Sequence, residues 1–257
     1  MPLKRVLERL RAPGGCPWDR KQDAASLRTY VLEEAYELVE AIDGGQPGEI
    51  REELGDLLLQ VVFQAIFAEE RGVFSLDDVV DGITSKMIRR HPHVFGTRSV
   101  TSADEVLVNW ERDKLASEGG KRHSLLDGIP SALPALTRAQ RVQQRAAGVG
   151  FDWTSVDGPL AKVEEELGEL RLAIQRAGTV EEMEEEVGDL LFSVVNVARK
   201  IAIDAEGALR AACIKFGERF RFAEERAVAS GRSLAEMNAA ELDALWEAAK
   251  APRPQGS

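Results

Sequence analysis

Cysteine is scarce in this sequence, and long apolar runs are absent. The 257 residues include only two cysteines, Cys16 and Cys213, which are too few for a disulfide framework. The opening stretch, MPLKRVLERLRAPGG, lacks the apolar segment of a signal peptide. No run approaches the roughly 18 consecutive apolar residues that a membrane helix needs. We therefore expect a cytoplasmic protein that does not span a membrane.

Basic residues are in the minority, with 33 Lys and Arg against 44 Asp and Glu and a net charge of -11. This charge repels nucleic acid and anionic lipid, and no basic stripe is long enough to reverse it, so neither is expected as a partner. Alternating strand patterns bounded by turn signals are also lacking, whereas helix-forming residues at helical spacing dominate. The sequence predicts an all-α fold.

Clusters of glycine and proline divide the chain into helical segments. They lie at PGG (13–15), GGQPG (44–48), HPHVFG (91–96), SEGGK (117–121) and GIPSALP (128–134). We predict two helical domains joined by a connector and followed by a flexible tail, with bounds at 1–113, 114–153, 154–250 and 251–257.

An internal repeat of long period is the most informative feature of the sequence. EEAYE at 33–37 matches EELGE at 165–169, and EELGDLLLQVV at 52–62 matches EEVGDLLFSVV at 185–195. The two acidic motifs are 16 residues apart in the first copy (Glu37 to Glu53) and 17 in the second (Glu169 to Glu186). The repeat indicates that one helical unit has been duplicated together with its acidic residues.

The spacing of the acidic residues places them on shared helix faces beside apolar stripes. Glu34 and Glu37 project together, as do Glu53 and Asp56, which precede the apolar run 57–68. Carboxylates that converge near a core must become protonated or share a cation, and Mg²⁺ is the hard ion that takes oxygen ligands. The glycine between the paired acids, Gly55 and Gly188 in the two copies, predicts a close backbone approach at each cluster.

A plain alternative exists, because a Glu-rich helix is usually a solvated face with local ion pairs. The paired motifs, the apolar context and the duplication together argue against it. A di-iron bundle would need Glu-x-x-His pairs, and none of the three histidines follows a Glu by three residues. The phosphate-binding pattern G-x-x-x-x-G-K-[ST] is also missing, because GGKR at 119–122 lacks the spacing and the hydroxyl.

The sequence resembles the MazG family of tandem-domain nucleoside triphosphate pyrophosphohydrolases. The resemblance rests on the acidic motifs together with three further stretches, KMIRRHPHVFG, LLDGIPSALPAL and RAAGVGFDW. The resemblance runs from GGCPWD at 14–19 to about Lys250. It implies that each domain contributes to a four-helix bundle completed by a second subunit in a homodimer. It also implies Mg²⁺-dependent hydrolysis of nucleoside or deoxynucleoside triphosphates to monophosphate and pyrophosphate, with Mn²⁺ as a substitute metal. A nucleotide-sensing or protein-interaction module, with one or both domains inactive, is the alternative.

The resemblance assigns roles to the C-terminal copy. It implies metal ligands at Glu166, Glu169, Glu186 and Asp189, and nucleotide contacts at Lys162, Glu185, Lys215, Arg219, Trp246 and Lys250. Glu165, Glu166, Lys215 and Arg219 are the expected catalytic residues, with Glu165 orienting the attacking water or taking its proton. Stacking on Trp246 would tolerate any base and predicts broad specificity. Glu182 departs from the pattern, because a lysine is expected there.

The N-terminal copy keeps the metal-ligand pattern at Glu34, Glu37, Glu53 and Asp56 and the phosphate-binding pair at Lys86 and Arg90. Tyr30 stands where the other copy has Lys162, so one phosphate contact is missing. We therefore expect the C-terminal copy to be the active one, and the N-terminal copy to be active, regulatory or structural.

Several other residues fit structural roles better than chemical ones. His91 and His93 flank a proline and are interpreted as part of a turn. Both cysteines are interpreted as ordinary thiols. Trp18 and Trp153 precede the two bundles and are interpreted mainly as packing residues. Ser193 and Asn196 follow Asp189 on its helix face and are either donors behind the metal ligands or plain buried polar contacts.

Overall fold

The structure, a computed structural model, describes residues 2–100 and 124–250, which form one compact unit each. No strand occurs in these two ranges, so the all-α prediction is confirmed. The predicted tail 251–257 and residues 114–123 of the predicted connector lie outside the described residues. Among the described helices, none is long and apolar enough to cross a membrane.

The described part of the N-terminal unit, residues 2–100, has the α-helices α1 (Pro2–Arg11), α2 (Arg28–Gly44), α3 (Pro47–Glu69), α4 (Leu76–Arg90) and the single turn α5 (Pro92–Phe95). Helices α2 and α3 pack as a hairpin, and α1 and α4 pack against α3. The hairpin turn depends on Gly45, whose φ of 70° is left-handed and lets its N–H bond the carbonyls of Ala41 and Ile42. Pro47 at the start of α3 suits the first helical turn.

The core of the N-terminal unit lies at the C-terminal half of α3. Val62, Phe63 and Ile66 are almost fully buried there, against Leu7 of α1 and Leu27 just before α2. The apolar run 57–68 is not buried along its whole length, because Leu58 and Val61 are 39% and 43% exposed. The packed half of α3 thus anchors the hairpin, and the acidic half extends away from the core.

The C-terminal unit contains α6 (Ala135–Ala147), α7 (Asp157–Gln175), α8 (Val180–Lys200), α9 (Ala205–Ala229) and α10 (Ala239–Lys250). Helices α7 and α8 form the hairpin that corresponds to α2 and α3, α6 packs against α8, and α10 packs against α9. Helix α6 falls inside the segment predicted as connector, yet it belongs to the C-terminal unit.

Glu182, the departure from the expected lysine, has a clear structural role at the start of α8. Its carboxylate accepts a hydrogen bond from the N–H of Thr179 at 3.1 Å, and its own N–H donates to the Thr179 hydroxyl at 3.2 Å. This capping box satisfies two N–H groups that a helix start leaves free. Arg176 also pairs with Glu182 at 3.3 Å. The side chain therefore stabilises the hairpin turn.

The expectation of a close backbone approach at Gly55 and Gly188 is wrong within the described residues. A Cβ built on either glycine would meet no atom within 4 Å. Both glycines lie on exposed helix faces. The physical reason is helix geometry: each glycine follows the cluster glutamate Glu53 or Glu186 by two residues, about 200° around the helix, and so lies on the side away from the facing helix.

Candidate functional site: two acidic clusters

Each helical hairpin brings three carboxylates together. Oxygens of Glu34 and Glu37 on α2 and Glu53 on α3 all lie within 4.8 Å of one another. In the C-terminal unit the same holds for Glu166, Glu169 and Glu186. The short links between the paired helices place these residues side by side, since residues three apart share a helix face. The sequence repeat therefore appears in the structure as two equivalent acidic clusters.

The fourth predicted ligand of each set, Asp56 or Asp189, lies outside its cluster. Each follows the glutamate on its own hairpin's second helix by three residues, so it stands one turn further along. Both remain close enough to act electrostatically: Asp56 contributes to raising the pKa of Glu34, and Asp189 to raising that of Glu186. Three of the four predicted ligands in each copy are gathered by the fold of the single chain.

In each cluster the fold raises the pKa of particular carboxylates, Glu34 and Glu53 in the N-terminal unit and Glu186 in the C-terminal unit. Burial is the main cause that raises the pKa of Glu34, followed by the charges of Asp56 and Glu37. Burial likewise raises the pKa of Glu53 and of Glu186, with neighbouring carboxylates adding to it. Convergent carboxylates with raised pKa values are the donor set expected of a site completed by a cation.

The two clusters differ in their built-in positive charge. Lys162 pairs with Glu165 at 3.1 Å and, in a shorter contact, with Glu166, which is only 5% exposed. Those hydrogen bonds raise the pKa of Lys162. The equivalent residue of the N-terminal unit, Tyr30, instead meets Trp18 edge to face at 6.4 Å between ring centroids. Only the C-terminal cluster, within the described residues, has a lysine on its buried glutamate.

The N-terminal cluster has an amide in place of the lysine. Gln60 on α3 is 5% exposed, and its Nε2 donates to Glu34 at 3.4 Å. Its Oε1 has no hydrogen-bond partner among the described residues. Sequence reasoning passed over this contact, although Gln60 interrupts an otherwise apolar run. The amide supports Glu34 without neutralising the cluster.

The predicted phosphate-binding residues of the C-terminal unit lie on α9 and α10. Lys215 and Arg219 line a surface cavity of about 610 Å³ that also includes Glu218, Arg221, Glu225 and Ala249. The Arg219 guanidinium lies 5.9 Å from the Trp246 ring centre, and Lys250 pairs with Glu247 at 2.5 Å. The cavity beside the acidic cluster, at Glu169 and Glu186, is a separate one. In one chain, Lys215 and Arg219 thus line a different cavity from Glu169 and Glu186.

The remaining predicted residues are found at the helix surface or in turns. Glu165 and Glu185 are exposed neighbours of the C-terminal cluster. Lys86 and Arg90 lie on the last turns of α4, exposed and half-buried respectively. His91 ends α4 with its Nδ1 at 2.7 Å from the Met87 carbonyl oxygen, and its ring is 5.5 Å from that of His93. This is the geometry of a turn.

Metal binding at the C-terminal cluster should weaken as the solution is acidified. The carboxylates must lose their protons to bind a cation, and the raised pKa of Glu186 shifts that loss above the usual carboxylate value of about 4.3. Without metal, the folded state holds this proton more tightly than the unfolded chain. Its contribution to stability is therefore present below the usual pKa and is lost as the pH rises through the raised one.

Calorimetric titration with Mg²⁺ between about pH 8 and about pH 4.5 checks this expectation. We expect the affinity to fall before the range in which ordinary exposed carboxylates titrate. An affinity that stays constant until the protein unfolds would contradict it.

Comparison with known proteins agrees with this geometry. The model of the MazG nucleotide pyrophosphohydrolase domain matches twice, at residues 22–95 and 156–221, and each match contains one acidic cluster. A protein of Thermotoga maritima named nucleoside triphosphate pyrophosphohydrolase/pyrophosphatase MazG is 47% identical, over 96% of this chain and 94% of its own length. The nucleoside triphosphate pyrophosphohydrolase of Escherichia coli K12 is 43% identical, over 96% of this chain and 95% of its own length. The resemblance found in the sequence is confirmed.

Proposed function

Because the chain belongs to the MazG nucleotide pyrophosphohydrolase family, we propose that it hydrolyses nucleoside and deoxynucleoside triphosphates to monophosphate and pyrophosphate. The observation that carries this proposal is the acidic cluster of Glu166, Glu169 and Glu186 within the second matched segment. A site of this kind, with broad base specificity, suits an enzyme that removes unwanted nucleotides from the cytoplasmic pool.

The donor set of the cluster fits Mg²⁺, because it consists of carboxylate oxygens that lie within 4.8 Å of one another, and the neighbouring carboxylates help to raise the pKa of Glu186. Glu166, Glu169 and Glu186 would hold the ion, and Asp189 stands one turn away as the fourth ligand. Mn²⁺ suits the same oxygen donors. Bound there, the metal would polarise the phosphate chain and lower the pKa of a coordinated water.

The chain's own residues supply proton transfer and charge. Glu165 is exposed beside the cluster, where it orients the attacking water and accepts its proton. Lys162, which pairs with Glu166 in the free protein, donates to the phosphates of bound substrate. Lys215 and Arg219 balance the charge that develops on the departing pyrophosphate. Glu185, Trp246 and Lys250 complete the nucleotide contacts.

We assign turnover to the C-terminal cluster and a supporting role to the N-terminal one. Lysine at position 162 brings a cation to the buried glutamate, whereas Tyr30 and Gln60 bring none. The N-terminal residues Glu34, Glu37, Glu53 and Asp56 would still hold a metal, and Lys86 and Arg90 could contact phosphate. This unit therefore suits nucleotide sensing or structural support better than fast hydrolysis.

Two matching apolar stripes support assembly as a homodimer. On α3, Leu54, Leu58 and Val61 are 52%, 39% and 43% exposed, and on α8 the corresponding Val187, Leu191 and Val194 are 43%, 50% and 47% exposed. Their spacing places each set on one helix face, next to the open side of the glycine. Contiguous apolar surface of this kind is typical of an interface. We propose that a second copy covers these stripes and completes each bundle.

Identification of the products tests the proposed reaction. The purified protein, with Mg²⁺ and each of the eight common ribo- and deoxyribonucleoside triphosphates, should yield monophosphate and pyrophosphate in ³¹P NMR spectra. Diphosphate with orthophosphate would contradict attack at the α-phosphorus. Absence of turnover with metal-dependent nucleotide binding retained would favour a sensing module.

A further inference from the structure

The ammonium group of Lys162 lies on the buried glutamate of the C-terminal cluster. Lys162 precedes Glu166 by one turn of α7, and its Nζ contacts a carboxylate oxygen of Glu166 and one of Glu165, the latter at 3.1 Å. Glu166 is 5% exposed, so the glutamate side of this pair is shielded from solvent. The same glutamate is one of the three whose oxygens converge in the cluster. An ammonium group and a metal ion therefore compete for Glu166.

The N-terminal cluster has no such competitor among the residues that the structure describes. Tyr30 occupies the position equivalent to Lys162, and its ring meets the edge or face of Trp18 at 6.4 Å between centroids. Glu34, the equivalent of Glu166, accepts a hydrogen bond from a neutral amide instead of an ammonium group. A cation that binds this cluster therefore displaces no charged side chain.

The amide at the N-terminal cluster also offers an unused acceptor. Gln60 is 5% exposed, and its Nε2 lies 3.4 Å from an oxygen of Glu34, while its Oε1 is buried and has no partner among the described residues. Both atoms belong to one amide, so Oε1 also lies beside the cluster. Amide oxygens are ligands of hard cations, and a buried acceptor without a partner is costly. The C-terminal copy has Ser193 at the equivalent position.

A lysine at this position weakens the binding of free metal in two ways. Its contacts with Glu166 and Glu165 must break before Glu166 can bind a metal ion. An ammonium group that stays nearby repels the doubly charged ion, and a like charge about 4 Å away lowers the affinity for a divalent ion by about tenfold or more even in water. Free metal should therefore bind the C-terminal cluster less tightly than the N-terminal one.

A phosphate group removes this obstacle. Its oxygens accept charge-assisted hydrogen bonds from an ammonium group, and its negative charge offsets that of the lysine. Lysine suits such an exchange of partners, because its charge is carried at the end of a flexible four-carbon chain. The Lys162 side chain is 37% exposed, so its ammonium group can be approached from solvent while Glu166 remains buried.

We propose that Lys162 makes metal binding at the C-terminal cluster depend on nucleotide: its ammonium group holds Glu166 in the free protein, and the phosphates draw it away and release Glu166 to the metal. The N-terminal cluster, with Tyr30 and Gln60, binds metal without nucleotide. The inference rests on the proposed function and adds to it the order of binding. Because such coupling is reciprocal, metal and nucleotide strengthen each other's binding in the C-terminal unit.

Lys162→Met tests the inference, because it removes the charge and keeps a long, flexible side chain that suits a helix. The Glu34→Gln background removes metal binding at the N-terminal cluster, so that calorimetry with Mg²⁺ alone measures the C-terminal one. We expect the affinity for Mg²⁺ to rise about tenfold. The affinity for inorganic tripolyphosphate in excess chelator should fall about tenfold, because a charge-assisted hydrogen bond is lost. Lys162→Arg, which keeps the charge, should leave the Mg²⁺ affinity as it is.

Tyr30→Lys provides the reciprocal test in the other unit. Tyr30 is 39% exposed and precedes Glu34 by one turn, so a lysine there reproduces the arrangement of Lys162 and Glu166. In the Glu166→Gln background, calorimetry with Mg²⁺ alone measures the N-terminal cluster. We expect the affinity for Mg²⁺ to fall about tenfold.

Unchanged or weaker Mg²⁺ binding in Lys162→Met would overturn the inference, because a residue that only binds phosphate or only stabilises α7 gives that result. Absence of Mg²⁺ binding at the C-terminal cluster in every variant would do the same. Circular dichroism checks folding, and if Lys162→Met does not fold, an unchanged affinity in Tyr30→Lys overturns the inference by itself. Failure of the proposed function is recognised separately, as wild-type protein that releases no pyrophosphate. The Mg²⁺ titrations need no turnover and decide in that case too.

Discussion

Glu166→Gln is expected to lower kcat/KM for nucleoside triphosphates by at least about 100-fold, whereas Glu34→Gln leaves it within about twofold. Loss of groups that merely support metal ligands typically costs 10- to 100-fold, so loss of a ligand should reach or exceed the upper end. Glu166 is the buried member of the C-terminal cluster and the partner of Lys162. Glu34 occupies the equivalent place in a cluster without lysine.

The two variants are matched controls for one another, because both replace a carboxylate by an amide of the same shape at equivalent positions of the repeat. Steady-state pyrophosphate release measures the effect, and circular dichroism checks that each variant folds. Equal losses in both variants would refute the assignment of the C-terminal site as the dominant one. A normal rate in Glu166→Gln would remove the cluster from the mechanism.

Removal of divalent metal should abolish turnover, with less than about 1% of the rate left in excess chelator. The reason is that the proposed water activation depends on a cation held by the carboxylates. Added Mg²⁺ should restore the rate, and Mn²⁺ should substitute, since both take oxygen ligands. Pyrophosphate release during a chelator titration followed by metal addition measures this directly.

Thermal unfolding provides a readout of metal binding that is independent of turnover. Saturating Mg²⁺ should raise the melting temperature of the wild type, because binding to the folded state stabilises it by about 2.7 kcal/mol at 100 times Kd. In Glu166→Gln, Mg²⁺ should raise the melting temperature less, because the contribution of the C-terminal cluster is lost. In Glu34→Gln, the contribution of the N-terminal cluster should be lost instead. Full turnover in chelator, with no effect of Mg²⁺ on melting, would contradict the metal site.

The repeat illustrates how much of the site could be predicted from sequence. Helical spacing alone places Glu166 and Glu169 on one face, and a short hairpin turn brings Glu186 to them, as the structure has it. Spacing along a helix does not determine whether the carboxylate of a residue one turn further along reaches the other carboxylates of the cluster. Asp189 was therefore predicted as an equal ligand, although in the single chain it stands outside the cluster.

The errors and omissions concern contacts between elements distant in sequence. The close approach predicted at Gly55 and Gly188 is not found, because a glycine in a helix does not reveal which side its neighbours occupy. Gln143 and Asp152 were passed over, since their partners Phe192 and Arg199 are 49 and 47 residues away. Such pairings carry no local pattern.

By itself, the sequence determined the helical class, the duplication, the acidic pairs and the family, because helix periodicity and motif spacing are local properties of the chain. Only the tertiary structure decided that Lys162 neutralises a buried glutamate, that Glu182 serves as a cap, and that the Asn196 side chain accepts from Arg199. Each of these depends on the direction and burial of a side chain among its neighbours, which packing of the helices sets and the order of residues alone does not.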